Sequence, residues 1–175
     1  VYNTNSLVLF EQDKNISDIK ISGCGNYISF LKSDDDDLND DDELKQDVLF
    51  LERFNWKSDS LGFTGNSYKH IYIYDLKNCV LKKITNGKYD ISGYTWSNSG
   101  SKIALITNKS ITNDFERGKE IYYIDDLNRA ESNKIAEFED IRGSDISFSP
   151  KDEYLSVCGH DNKAHGHYGF QRVWL

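Results

Sequence analysis

A fifteen-residue pattern occurs twice in the chain and a third time in looser form: residues 16–30 (ISDIKISGCGNYISF), 91–105 (ISGYTWSNSGSKIAL) and 143–157 (GSDISFSPKDEYLSV). The copies superpose without gaps over their central part. Ser22, Ser97 and Ser149 open a turn, and Gly25, Gly100 and Asp152 close it. Apolar residues recur with period two before the turn (Ile19, Ile21; Tyr94, Trp96; Ile146, Phe148) and after it (Ile28, Phe30; Ile103, Leu105; Leu155, Val157). That is the spacing of strands that bury one face. The turn residues are small or tolerate positive φ, so they can reverse the chain into a hairpin.

Two further strands complete each unit. Ile71-Tyr72-Ile73-Tyr74-Asp75 and Ile121-Tyr122-Tyr123-Ile124-Asp125 are matched aromatic and β-branched runs, each followed by a polar turn and a short apolar strand near residues 80–84 or 134–138. The first strands of the copies are offset by 75 and then 52 residues and the third strands by 50, so about 25 residues are inserted within the first unit, at 33–70. A four-stranded unit recurring at this spacing predicts an all-β fold: a partial β-propeller of four-stranded antiparallel blades, about three blades' worth. In this reading residues 1–15 end a preceding blade, with Leu7 to Phe10 in the place of its last strand. Residues 16–90 form a blade carrying the long insertion at 33–70, residues 91–140 a second blade, and residues 141–175 a truncated third. The chain contains no methionine, and it stops at Gln171-Arg172-Val173-Trp174-Leu175 where a third strand should begin. It is therefore expected to be a fragment of something larger.

Eleven tyrosines, nine phenylalanines and a single proline suit pleated, half-buried surfaces without breakers. At 175 residues and 38% hydrophobic the chain can bury a substantial core but is too polar to read as a membrane span. A formal charge of −8 argues against a nucleic-acid partner, which needs clustered Lys and Arg. Cys24, Cys79 and Cys158 are odd in number, far apart and without a CxxC pair, as in reduced thiols of a cytoplasmic protein. No signal-peptide series is present.

Four segments, in order, carry a resemblance to a known family. The turns Ser97-Asn98-Ser99-Gly100 and Ser149-Pro150-Lys151-Asp152, with Trp96 ahead of the former, are similar to a Trp-Ser-Pro-Asp-Gly turn. Residues 53–63 (RFNWKSDSLGF) are similar to an "Arg, aromatic, Lys, Asp-Gly, Gly-aromatic" segment that follows an acidic loop. Residues 70–76 (HIYIYDL) match a "His-Leu-aromatic-Val-Val-Asp" strand, and 84–91 (ITNGKYDI) match "Leu-Thr-Gly-Asp-aromatic-Asp-Val". Together they resemble the propeller domain of the prolyl oligopeptidase family of serine peptidases, most closely the acylaminoacyl-peptidase branch. Cys24 departs from the pattern where Asp is expected, and the third turn lacks its Gly.

The resemblance implies a gate. In that family Ser, Asp and His sit on a separate α/β-hydrolase domain, and the propeller admits short peptides while excluding folded proteins. The hydrolase then removes an N-terminal acylated or free residue. This chain has no G-x-S-x-G elbow: Gly65-Asn66-Ser67-Tyr68-Lys69 lacks the second glycine. It is expected to hydrolyse nothing alone, and its implied partners are a hydrolase domain of the same polypeptide and short peptides. Within the insertion, Arg53 could meet a carboxylate or carbonyl oxygen, and Trp56 and Phe63 could line an apolar pocket. Packing of these residues onto the blade is the competing reading.

No cofactor and no metal are expected. Eight of the ten residues 34–43 are acidic but lack the spacing and central glycine of a calcium loop, which favours a solvated loop. Cys158, His160, His165 and His167 could converge on zinc, yet Gly159, Gly166 and Gly169 mark a flexible connection. A competing function of another class is a protein-binding propeller scaffold, translocation-type or tricorn-like, without a peptidase domain. Open blade edges at both ends are expected to drive self-association of the chain.

Overall fold

The computed structural model describes residues 8–11, 16–34, 57–58, 62–63, 67–110, 118–129, 131–138, 145–159 and 172–175. These hold strands and turns and no helix. In chain order the strands are β1 (Ile16–Ile21), β2 (Tyr27–Ser33), β3 (Lys57–Ser58), β4 (Gly62–Phe63), β5 (Lys69–Asp75), β6 (Val80–Lys83), β7 (Ile91–Trp96), β8 (Ile103–Thr107), β9 (Lys119–Ile124), β10 (Asn133–Phe138), β11 (Asp145–Phe148), β12 (Leu155–Gly159) and β13 (Arg172–Trp174). They form one sheet in the order β1-β2-β5-β6, a second from β7 to β10, a third in the order β11-β12-β13, and a small β3-β4 ladder. Every pairing is antiparallel. The chain is an all-β partial propeller.

The three repeat turns are built alike. The carbonyls of Ser22, Ser97 and Ser149 accept hydrogen bonds from the N–H groups of Gly25, Gly100 and Asp152 at 2.8, 2.9 and 2.9 Å. Each serine hydroxyl also accepts from the first residue beyond the turn, Tyr27, Lys102 or Tyr154. The closing residue sits at φ 73° in Gly25, 71° in Gly100 and 59° in Asp152. Asp is among the few side-chain-bearing residues that visit this region routinely. The third turn therefore closes without its glycine.

Two cores lie between the sheets. Leu31, Ile71 and Ile73 of the first sheet pack on Tyr94, Trp96, Ile103, Leu105 and Ile124 of the second. Ala104, Ile106 and Ile121 on the opposite face of the second sheet pack on Ile146 and Val157 of the third. Because β8 has a sheet on each side, its five residues are all buried, which explains the unbroken run Ile-Ala-Leu-Ile. Burying each large side chain here contributes about 1.5–3 kcal/mol.

The alternation expected for the strands ahead of the turns holds at Tyr94 and Trp96, which are 0% and 7% exposed, and at Ile146. It fails at Ile19 and Ile21, which are 60% and 67% exposed. Burial on a sheet face requires a neighbouring layer. Among the described residues, the face of the first sheet turned away from the second is met by Phe10, whose ring lies 5.4 Å from that of Phe30 and 4.9 Å from that of Tyr74. Residues 8–11 themselves form no strand. The β1–β2 register also shifts between Ser17 and Lys20, with Asp18 at φ 50°, so a bulge further turns this strand.

Candidate functional site

The inserted segment leaves the first blade from a closed base. The β2–β5 ladder continues to Ser33 opposite Lys69, and the Asp34 N–H then donates to the Tyr68 carbonyl at 2.9 Å. The excursion therefore spans residues between Asp34 and Tyr68. It departs from the end of β2 opposite the repeat turn.

Beneath this base lies a buried polar cluster. His70 is fully buried. Its Nε2 lies 3.0 Å from the Gly87 carbonyl oxygen, which can only accept, so this nitrogen carries the proton. Its Nδ1 then accepts from the Thr85 hydroxyl at 3.0 Å, while that oxygen accepts the Ile71 N–H. The Tyr89 ring meets the imidazole edge-on. Asp34 lies 3.4 Å from Nε2, receives the Tyr72 hydroxyl at 3.1 Å, and pairs with Lys83 at 2.7 Å. Burial holds the imidazole below its ordinary pKa of 6.5; Asp34 and Asp90 act against this shift and Lys83 with it. The Asp90 carboxylate accepts the Lys69 N–H at 2.7 Å and so ties the loop after β6 to the same base.

Thr85, His70 and Asp34 have the residue types of a nucleophile, base and acid, but not the access. Thr85 is 5% exposed and its oxygen is held by backbone, whereas a nucleophile must reach a substrate. The cluster is a strut that fixes the root of the excursion.

The edge strands β1 and β11 both lie beside β7. Lys20 of β1 lines two cavities next to these strands. One, of about 320 Å³, involves Thr95, Ser97 and Asn98. The other, of about 250 Å³, involves Asp145, Ser147, Ser156 and Cys158. The lysine is fixed by Asp18 at 3.0 Å, by the Tyr94 carbonyl, and by the Tyr94 ring 4.3 Å below it. Behind it Ser29 joins the first two blades, lying 2.9 Å from the Tyr94 hydroxyl and accepting the Trp96 indole N–H at 2.7 Å. Burial pushes the Tyr94 phenol up, so it stays a neutral donor, and its hydroxyl donates to the Asp18 carbonyl at 2.7 Å.

The repeat turns interlock at one end of the blades. The Asp152 carboxylate accepts the Asn98 and Ser99 N–H groups at 2.7 and 3.0 Å, and the Asn98 amide also reaches the Ser149 carbonyl. These backbone hydrogen bonds hold the Asp152 carboxyl below its usual range. Between the first two turns the approach is closer still. A Cβ on Gly23 would meet the Asn98 oxygen at 2.0 Å, and one on Gly100 would meet the Cys24 nitrogen at 2.5 Å.

Of the site residues expected from sequence, Arg53 and Trp56 lie outside the described residues. The Phe63 backbone is in β4, paired with Lys57, and its side chain lies outside what is described. Residues 35–43 and His160, His165 and His167 also lie outside them, while Cys158 lines the smaller of the two cavities beside Lys20. Among the described residues no group of three or more His, Cys, Asp or Glu is placed to hold a metal. From sequence, Asp34 is expected in a solvated acidic loop and His70 only as the start of a strand; the structure instead pairs Asp34 with Lys83 beside the buried His70. The available signal was a histidine at the foot of a strongly alternating strand that follows the insertion.

No protein-family model matches the chain, and no curated protein does. Solved structures do. An acylaminoacyl peptidase from Pyrococcus horikoshii, uncomplexed, matches over 95% of this chain and 25% of its own, at TM-score 0.64 and 14% identity. TolB from Acinetobacter baumannii matches over 95% and 31%, at TM-score 0.55 and 13% identity. A dipeptidyl peptidase 4 from Porphyromonas gingivalis matches over 90% and 22%, at TM-score 0.50 and 13% identity. The chain spans between a fifth and a third of the length of these proteins. It has the fold of a stretch of β-propeller like that in the prolyl oligopeptidase peptidases.

Proposed function

We propose that this chain is the non-catalytic propeller of a serine peptidase resembling acylaminoacyl peptidase, which lets short peptides reach a hydrolase domain of the same polypeptide and turns folded proteins away. The observation that carries this reading is the propeller fold shared with solved acylaminoacyl peptidases, with a long insertion between two strands of the first blade whose ladder closes at Asp34 and Tyr68. Several solved structures sharing the fold are named as peptidases, one of them in complex with a peptidyl chloromethyl ketone. Arg53, Trp56 and Phe63 on the excursion are the proposed substrate contacts, and the N-terminal acylated or free residue is the proposed leaving fragment. The likeness to TolB favours a second reading, a protein-binding propeller scaffold with no peptidase domain.

A serine-directed fluorophosphonate probe separates the two. Applied to the full-length polypeptide, it should label a serine outside these 175 residues, and the isolated chain should stay unlabelled. Arg53→Ala in the full-length polypeptide should raise KM for acylated short peptides with a smaller change in kcat. An unlabelled full-length polypeptide would favour the scaffold, and labelling of the isolated chain would overturn both readings.

A further inference from the structure

Along the seam between the first two blades, the end of β6, the loop after it and segments next to β8 and β10 border an open pocket of about 500 Å³. Lys83, Asn86, Tyr89, Lys109, Arg129 and Ser132 line it. Its volume lies in the range of small-ligand sites. In a chain of net charge −8 this lining holds three cations and no carboxylate.

Lys109 is the best-fixed of the three. Its ammonium lies 3.9 Å from the centre of the Tyr122 ring and 5.0 Å from that of Tyr89, and it donates to the Ser132 hydroxyl at 2.6 Å. The carboxylates that neighbour these cations, Asp34, Glu120 and Asp126, lie outside the lining. Asp34 pairs with Lys83 at 2.7 Å. Glu120 gives one oxygen to Lys134 and the other to the Lys109 N–H and the Tyr122 hydroxyl. Arg129 is 75% exposed and pairs with Asp126 at 3.7 Å, so its planar guanidinium keeps further N–H donors for a ligand. Burial holds the Lys109 ammonium below the ordinary lysine value, and Glu120 acts against that shift. An arriving anion would offset this desolvation.

We infer that this seam pocket binds a small oxyanion, the carboxylate or phosphate of a soluble ligand, received by Lys109, Lys83 and Arg129 with Asn86 and Ser132 as hydrogen-bond partners. The inference does not rest on the peptidase reading: it is carried by the charge of this lining, which adjoins the base of the excursion through Lys83 and Thr85. Its test is a titration of the ¹⁵N-labelled chain with inorganic phosphate and, separately, with N-acetylglycine and its neutral amide. Saturable shifts should appear at the amides of Asn86, Lys109 and Ser132 with phosphate, acid or both, and not with the amide. The stronger of the two anions identifies the ligand chemistry. Lys109→Gln should weaken binding at least tenfold, Arg129→Gln less, and Lys151→Gln, on an exposed turn, not at all. If Lys109→Gln does not fold, the exposed Arg129→Gln carries the comparison. Non-saturating shifts scattered over surface lysines, equal binding of the neutral amide, or affinity unchanged in both pocket variants would overturn the inference.

Discussion

Strands β1 and β7 begin as copies of one pattern and end in opposite environments. Tyr94 and Trp96 of β7 are 0% and 7% exposed, while the aligned Ile19 and Ile21 of β1 are 60% and 67% exposed. Local sequence does not explain the difference, since isoleucine is as apolar as tryptophan and alternates equally well. The neighbours do. The side chains of β7 are covered by Leu31, Ile71 and Ile73 of the preceding sheet. A blade's burial is set by the blade beside it, so stability in this fold is a property of interfaces.

The sharpest way to break this comparison is to truncate both strands at the same repeat position. Trp96→Ala should cost about 3–5 kcal/mol, the range for removing a large aromatic from a core. It also leaves the Ser29 hydroxyl without its indole donor. Ile21→Ala should change stability by no more than about 0.5 kcal/mol, as for surface substitutions. Urea denaturation of the two variants measures the contrast, and equal losses would mean that both faces are covered.

A second pair probes the interlocked turns. Gly25 and Gly100 share φ near +70°, but a Cβ meets nothing within 4 Å at Gly25 and the Cys24 backbone nitrogen at 2.5 Å at Gly100. Gly25→Ala should show only the conformational cost, about 1–2 kcal/mol. Gly100→Ala should lose more, because the first turn must also move. Matching melting temperatures for the two variants would show that the turns do not touch.

His70 gives a smaller, pH-dependent effect. Burial depresses its folded-state pKa below the unfolded value of about 6.5, so the unfolded chain binds the proton more readily. Stability is therefore unaffected by this group well above pH 6.5 and falls as the pH drops below it. His70→Asn should lower stability at pH 8 by about 1–3 kcal/mol through lost buried hydrogen bonds. It should also flatten the slope of stability between pH 6.5 and 5.5. A slope unchanged in the variant would assign the acid sensitivity to other groups.

The hairpins and sheets were legible because their signals are local: alternation, a serine opening each turn and a residue tolerant of positive φ closing it. Burial of Ile19 and Ile21 was not, because alternation reports which side chains share a face and not what covers that face. The His70 cluster was hidden for a similar reason. Its partners Thr85 and Gly87 lie 15 and 17 residues away, and Asp34 stands on the far side of the inserted segment. Arg53, Trp56 and Phe63 rest on residue type and on a place in the insertion, which says nothing of where a side chain ends up; Arg53 and Trp56 and the Phe63 side chain lie outside what is described.

Native-state hydrogen exchange of the full chain tests most directly whether the neighbouring blade, and not the repeat sequence, sets the stability of each strand. Amides of β7 and β8 should exchange near the rate set by global unfolding, and those of β1 that pair with β2 should exchange at least tenfold faster through local opening. Equal protection of β1 and β7 would contradict it.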